Sequence, residues 1–187
     1  MAAFVSLSAS TDQPEKVTLM MNKTIFSLAL ALFASQSWAE AKDAAAPSPN
    51  GITLPLGYEN WRLIAISQRT ENSTLRAVLG NSVAVDAARA GKTNPWPNGS
   101  ILTKLAWKQK ASETFPTAVV PGEFVHADFM IKDDRKYAST GGWGYARWLG
   151  MEQKPYGSDA NFAQECLGCH GAMQHQDYVF TAPVKLP

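Results

Sequence analysis

Trp61-Arg62-Leu63-Ile64-Ala65-Ile66-Ser67-Gln68-Arg69 reads with a period of two. Arg62, Ile64, Ile66 and Gln68 fall on one side, and Trp61, Leu63, Ala65 and Ser67 on the other. Successive side chains of an extended strand point to opposite faces, so this alternation predicts a strand. Residues 74–79, 101–108, 123–132 and 143–149 alternate in the same way and are rich in β-branched or aromatic side chains. Turn chemistry separates them: Pro97-Asn98-Gly99 before the third, Pro121-Gly122 before the fourth and Gly141-Gly142 before the fifth. Consecutive strands with short connections imply antiparallel pairing. Residues 82–90, stopped by Gly91, predict a short helix with Ser82 as its cap, and residues 161–170 predict a second. The expected fold class is α+β, mainly antiparallel β-sheet with a few short helices.

Composition agrees with one folded unit. Of 187 residues, 45% are hydrophobic and 18% charged, which suits a buried core rather than a disordered tail. Seventeen Lys+Arg against sixteen Asp+Glu leave a net charge of +1, which gives no electrostatic reason to expect nucleic acid or an anionic membrane as partner. No apolar run is long enough to predict a membrane span. Thirteen Gly and eleven Pro argue against a simple helical bundle.

The ends carry a different message. From Met21 the chain runs Met21-Asn22-Lys23, then apolar through residues 25–34, then Ser35-Gln36-Ser37-Trp38-Ala39. A basic start, a short apolar run and small residues before a cleavage point make a secretory signal peptide; a core helix is the competing reading. Residues 1–39 are therefore expected to be an over-extended start plus a signal peptide over 21–39, cut after Ala39. Residues 40–53, with Ala-Ala-Ala-Pro-Ser-Pro-Asn-Gly inside, are expected as a flexible leader, and residues 54–187 as a single domain. The expected location is the periplasm.

The two cysteines of the 54–187 domain decide its chemistry. Both lie in Cys166-Leu167-Gly168-Cys169-His170, the spacing at which two thiols add to haem vinyl groups while the adjacent imidazole binds iron. A thioredoxin-like motif needs a βαβ context that this region lacks. A zinc site needs four ligands, and here three are crowded into five residues. A disulfide fits an oxidising compartment but leaves His170 unexplained. One covalently attached haem c, with iron, is the expected cofactor.

His170 lies near the end of the chain, so a second iron ligand must come mostly from upstream. Met130 and Met151 are candidates, although such a Met is usually core filler. His126 and His175 are candidates as well, while Met173 is too close in sequence to cross the ring. An open iron position and a six-coordinate electron carrier both stay on the table, with the open site favoured.

Three stretches resemble the cytochrome P460 family and its relatives, the β-sheet cytochromes c-prime. They are Trp61-Arg62-Leu63-Ile64 with Thr74-Leu75-Arg76; Pro97-Asn98-Gly99-Ser100-Ile101-Leu102-Thr103-Lys104; and Glu165 through His170 with Asp177-Tyr178-Val179-Phe180-Thr181. The stretch Phe129-Met130-Ile131-Lys132-Asp133 with Gly142-Trp143-Gly144-Tyr145 resembles one wide branch of that family. The resemblance implies a mostly antiparallel β fold, usually a homodimer. It also implies that a lysine in the position of Lys104 bonds through its side-chain nitrogen to the porphyrin edge. Members with that link oxidise hydroxylamine bound at ferric iron and need an electron acceptor, expected here to be soluble and periplasmic. Relatives without it bind nitric oxide or carbon monoxide.

The residues themselves leave alternatives open. Lys104 shares a strand face with Leu102, Ala106 and Lys108, so a snorkelling surface lysine competes with the cross-link. Arg76 stands where the family has an arginine near the haem pocket, and an exposed strand arginine is the plain alternative. Trp143 and Tyr145 share a face as candidate pocket walls, or as core packing. The function expected is oxidation of hydroxylamine or a related small nitrogen species; the alternatives are gas binding without catalysis and electron transfer.

Overall fold

The computed structural model describes residues 44–185. The signal peptide expected over residues 21–39 lies outside the described residues. The strands form one six-stranded antiparallel sheet in sequence order: β1 (Arg62–Arg69), β2 (Thr74–Gly80), β3 (Ile101–Ala111), β4 (Val119–Lys132), β5 (Trp143–Leu149) and β6 (Lys154–Pro155). Helix α1 (Ser82–Arg89) connects β2 to β3, and α2 (Phe162–His170) follows the sheet and leads into a 3₁₀ turn, Gly171–Gln176. The α+β expectation holds, and each alternating segment is a strand.

Period-two patterning gives the sheet two unlike faces. On one, Leu102, Met130 and Tyr145 are neighbours across three strands. They pack with Ile64, Val78, Trp96, Trp143 and Val179, and with Ala84, Val85 and Ala87 of α1; Cys166 and Leu167 of α2 lean on the same cluster. On the other, Ala127, Phe129, Ala146 and Trp148 form a second core. There Phe129 meets Tyr58 and Trp148 edge-to-face, with ring centroids 5.2 and 5.5 Å apart.

Three local expectations need correction. Within the stretch 40–53 read as a flexible leader, residues 44–53 are packed on the second core. Ile52 and Ser48 are buried, Trp148 Nε1 donates to the Ala46 carbonyl at 2.9 Å, and Asn50 Nδ2 donates to the Tyr145 carbonyl at 2.8 Å. Composition suggested flexibility, but an indole N–H facing outward from the sheet needs an acceptor, and the strap provides one. The cap of α1 is Asn81 rather than Ser82. Its side-chain oxygen accepts from Ala84 N at 3.0 Å and Ile101 N at 3.1 Å, tying the helix start to β3. Pro121-Gly122, read as a turn, lies inside β4, which starts at Val119. Pro121 pairs with Gln109 beside a register irregularity, at a level that β5 does not reach, so its missing N–H disturbs no second ladder.

Trp148 is fully buried. Trp148→Ala is expected to cost ~3–5 kcal/mol of unfolding free energy, the range for deleting a large core aromatic. Denaturant titration checks this; a loss under about 1 kcal/mol would mean that the strap closes over the gap.

Candidate functional site

A row of charged residues of the sheet lies on the face against which α2 packs. Cross-strand register places Val78, Lys104, Asp128 and Arg147 in one row over β2 to β5, and Arg76, Ala106 and His126 in the next. Alternation puts all of these side chains on the same side as Leu102, Met130 and Tyr145. Asp128 is the hub. Its Oδ2 contacts Lys104 Nζ at 2.5 Å and lies 3.5 Å from His126 Nε2, while its Oδ1 accepts from Arg147 Nε at 2.6 Å. Arg147 Nη2 adds a second bond to Oδ2 at 3.2 Å, making the pair bidentate.

Burial alone would raise the Asp128 carboxyl, but Lys104 and Arg147 outweigh it and hold it down at about 2. His126 moves the other way. Burial, helped by the nearby cations Arg147, Lys104 and Arg76 and opposed by Asp128, lowers its imidazole from 6.5 to about 4. His126 is therefore neutral at pH 7, and its Nε2 has no hydrogen-bond partner. Arg76 Nε and Tyr145 OH are also buried without partners. Three unsatisfied polar groups on one sheet face make that face a place for a polar guest.

Helix α2 brings the thiols and the imidazole to this face. Cys166 and Cys169 are free thiols, Cys166 half-buried and Cys169 exposed. Burial pushes the Cys166 thiol up, so it rests protonated. His170 Nδ1 lies 2.7 Å from the Tyr178 carbonyl oxygen. A carbonyl only accepts, so Nδ1 carries the proton and Nε2 keeps the lone pair that a metal needs. Burial lowers the His170 imidazole, which keeps it neutral. Its ring is flanked by Tyr145 and Phe180, with centroids 5.3 and 5.2 Å away. The donor set fits haem: two thiols one helical turn apart, a neutral imidazole with a fixed tautomer, and a polar face opposite.

The residues singled out from sequence divide clearly. Lys104 and Arg76 stand on the face covered by α2, and Lys104 is an ion-paired, partly buried residue rather than a free surface lysine. Tyr145 touches the His170 ring. Trp143 is wholly buried and donates from Nε1 to the Asp177 carbonyl at 2.8 Å, so it anchors the segment after the helix. Of the candidate second iron ligands, Met130 is core and Met151 and His175 are exposed. Asp128 and Arg147 were missed. The period-two count from His126 and from Tyr145 would have found both, but neither belongs to a motif.

A sheet that offers one polar face to a helix bearing two thiols and an imidazole defines a haem protein of the β-sheet type. The family model for Cytochrome P460 matches residues 55–181, and the chain belongs to that family. No curated protein matches the chain. No helix among the described residues is long and apolar enough to cross a membrane.

His126 and Asp128 predict a stepped acid response, and His170, lowered by burial as well, shares the upper step. Between 6.5 and about 4 the unfolded chain protonates His126 while the folded chain keeps it neutral, so stability falls as pH drops through that window. Asp128 adds stability that is complete above 3.8 and is lost as pH falls toward about 2. Unfolding free energies across pH should show His126→Gln flattening the upper step alone. An unchanged upper slope in that variant would place the proton uptake elsewhere.

Proposed function

We propose that the protein is an exported mono-haem c-type cytochrome that oxidises hydroxylamine or a related small nitrogen species. The observation that carries this reading is the position of Lys104, on the face that α2 covers and in the same row as Arg147. Cys166 and Cys169 would each add S–H across a vinyl group, and His170 Nε2 would hold the iron. Haem supplies a redox-active iron with an open position for a small ligand.

The chain's own groups do the rest. Arg76 Nε and Arg147 are donors for an N–O group, and the Asp128 carboxylate keeps Arg147 and Lys104 in place. Oxidation of hydroxylamine releases protons with electrons, and the neutral His126 imidazole beside Asp128 is a base to receive one. Electrons leave to a soluble acceptor. A Lys104 link exchanges an N–H and a C–H bond for N–C, so two electrons and two protons must pass to an external oxidant of the peroxide class. Export rests on residues 21–39, periplasmic location on that signal, and the homodimer on the family resemblance.

The ion pair between Lys104 and Asp128 supports a second reading. A lysine whose Nζ stays held against Asp128 does not reach a ring carbon, and the protein would then bind nitric oxide or carbon monoxide without turnover. Intact mass and the ferrous spectrum of exported protein decide between them. Three protein–haem bonds, a red-shifted band and hydroxylamine-dependent reduction of a soluble acceptor are the expected result. An ordinary c-haem spectrum with no turnover would leave the gas-binding reading.

A further inference from the structure

Asp177 and Tyr178 both hold left-handed backbone conformations, with φ of 51° and 63°. Two such residues in succession, neither of them glycine, persist only where surrounding contacts fix them. Here the contacts converge on the Asp177 carboxylate. Oδ1 accepts from Lys132 Nζ at 2.8 Å, and Oδ2 accepts from the Trp96 backbone N at 2.8 Å. The Asp177 carbonyl takes the Trp143 indole proton, and Tyr178 N donates to the Met173 carbonyl at 2.8 Å. Lys132 is 3% exposed and Asp177 8%. Lys132 Nζ also sits 5.2 Å from the Trp143 ring centre and 3.0 Å from the more exposed Asp134.

The carbonyl that follows this knot is the one bonded to His170 Nδ1. A ligand histidine's outer hydrogen bond sets its tautomer, its ring orientation and its basicity toward the metal. We propose that the buried Lys132–Asp177 pair is a positioning device for the iron ligand, holding the Tyr178 carbonyl against His170 and so setting the strength of the iron–histidine bond and the reduction potential. Lys132 comes from the end of β4 and Asp177 from the loop after the haem helix, so the pair fastens the ligand segment to the sheet. The proposal rests on haem binding through His170 but not on hydroxylamine chemistry.

The test uses the haem-loaded double variant Lys132→Met/Asp177→Asn. Removing one partner alone strands a buried charge, whereas neutralising both avoids that cost. With a weaker outer hydrogen bond the imidazole donates less, so the ferrous iron–histidine stretching frequency should fall. The equilibrium constant for one-electron reduction should rise about tenfold, equivalent to ~59 mV. Lys132→Arg keeps the cation opposite Asp177 and should keep both values at those of the wild type. A double variant with wild-type frequency and potential overturns the proposal. So does a soluble double variant that takes up no haem, because the pair would then serve folding of the site rather than tuning. Wild-type protein whose haem shows no histidine ligation would instead sink the haem assignment of His170.

Discussion

Protein exported with Cys166→Ala and Cys169→Ala together is expected to carry no haem through denaturing electrophoresis or acid–acetone extraction, whereas wild-type protein keeps all of it. Each single variant should retain one thioether and mature poorly. The two thiols lie three residues apart, about one helical turn, Cys166 against the core and Cys169 in solvent, so they can grip two edges of one planar guest. Covalent attachment means that the pocket need not supply the whole binding free energy, and its loss should therefore be close to complete. Haem that washes out of wild-type protein would defeat the attachment reading, while leaving the family and the sheet as they are.

Lys104→Ala is the second large effect. It should leave a folded, haem-loaded protein, since the thioethers and His170 do not depend on it, and hydroxylamine turnover should fall to background. The variant also removes the nearest cation from Asp128, whose remaining strong partner is Arg147 through two bonds. That bidentate pair is expected to keep the carboxylate ionised and in place. Peptide mapping of wild-type protein should find one haem-bearing fragment set containing Lys104, Cys166 and Cys169. An unmodified Lys104 peptide, together with turnover that survives in the variant, would remove lysine from the chemistry altogether.

How much of this was legible beforehand depended on whether a residue's role was local. The strand at Trp143–Leu149 could be read to the residue, because alternation and the Gly141-Gly142 turn are both short-range signals. The Cys-x-x-Cys-His motif is local in the same sense, five consecutive residues on one helix. The packed strap over residues 44–53 was not legible, since its order comes from Trp148 and Tyr145 about a hundred positions later. Asp128 is another such case. Alternation from His126 puts it on the polar face, but only the pairing of β3 with β4 and β4 with β5 sets it between Lys104 and Arg147. The Lys132–Asp177 pair likewise joins residues 45 positions apart. Ser82 was misread for a smaller reason: two adjacent capping residue types stood at the helix start, and the one whose amide also bridges to Ile101 won.

The two-faced sheet has a consequence for redesign. Along β4 the side chains of His126, Asp128 and Met130 lie on the face against which α2 packs, and the interleaved Ala127 and Phe129 lie on the second core. The same interleaving runs through β5, with Arg147 on one side and Ala146 and Trp148 on the other. The charged positions and the second core thus occupy alternate letters of one text. A library that randomises only Arg76, Lys104, His126, Asp128 and Arg147 leaves the aromatic stack beneath intact, so a new ligand preference can be sought without paying for it in foldedness.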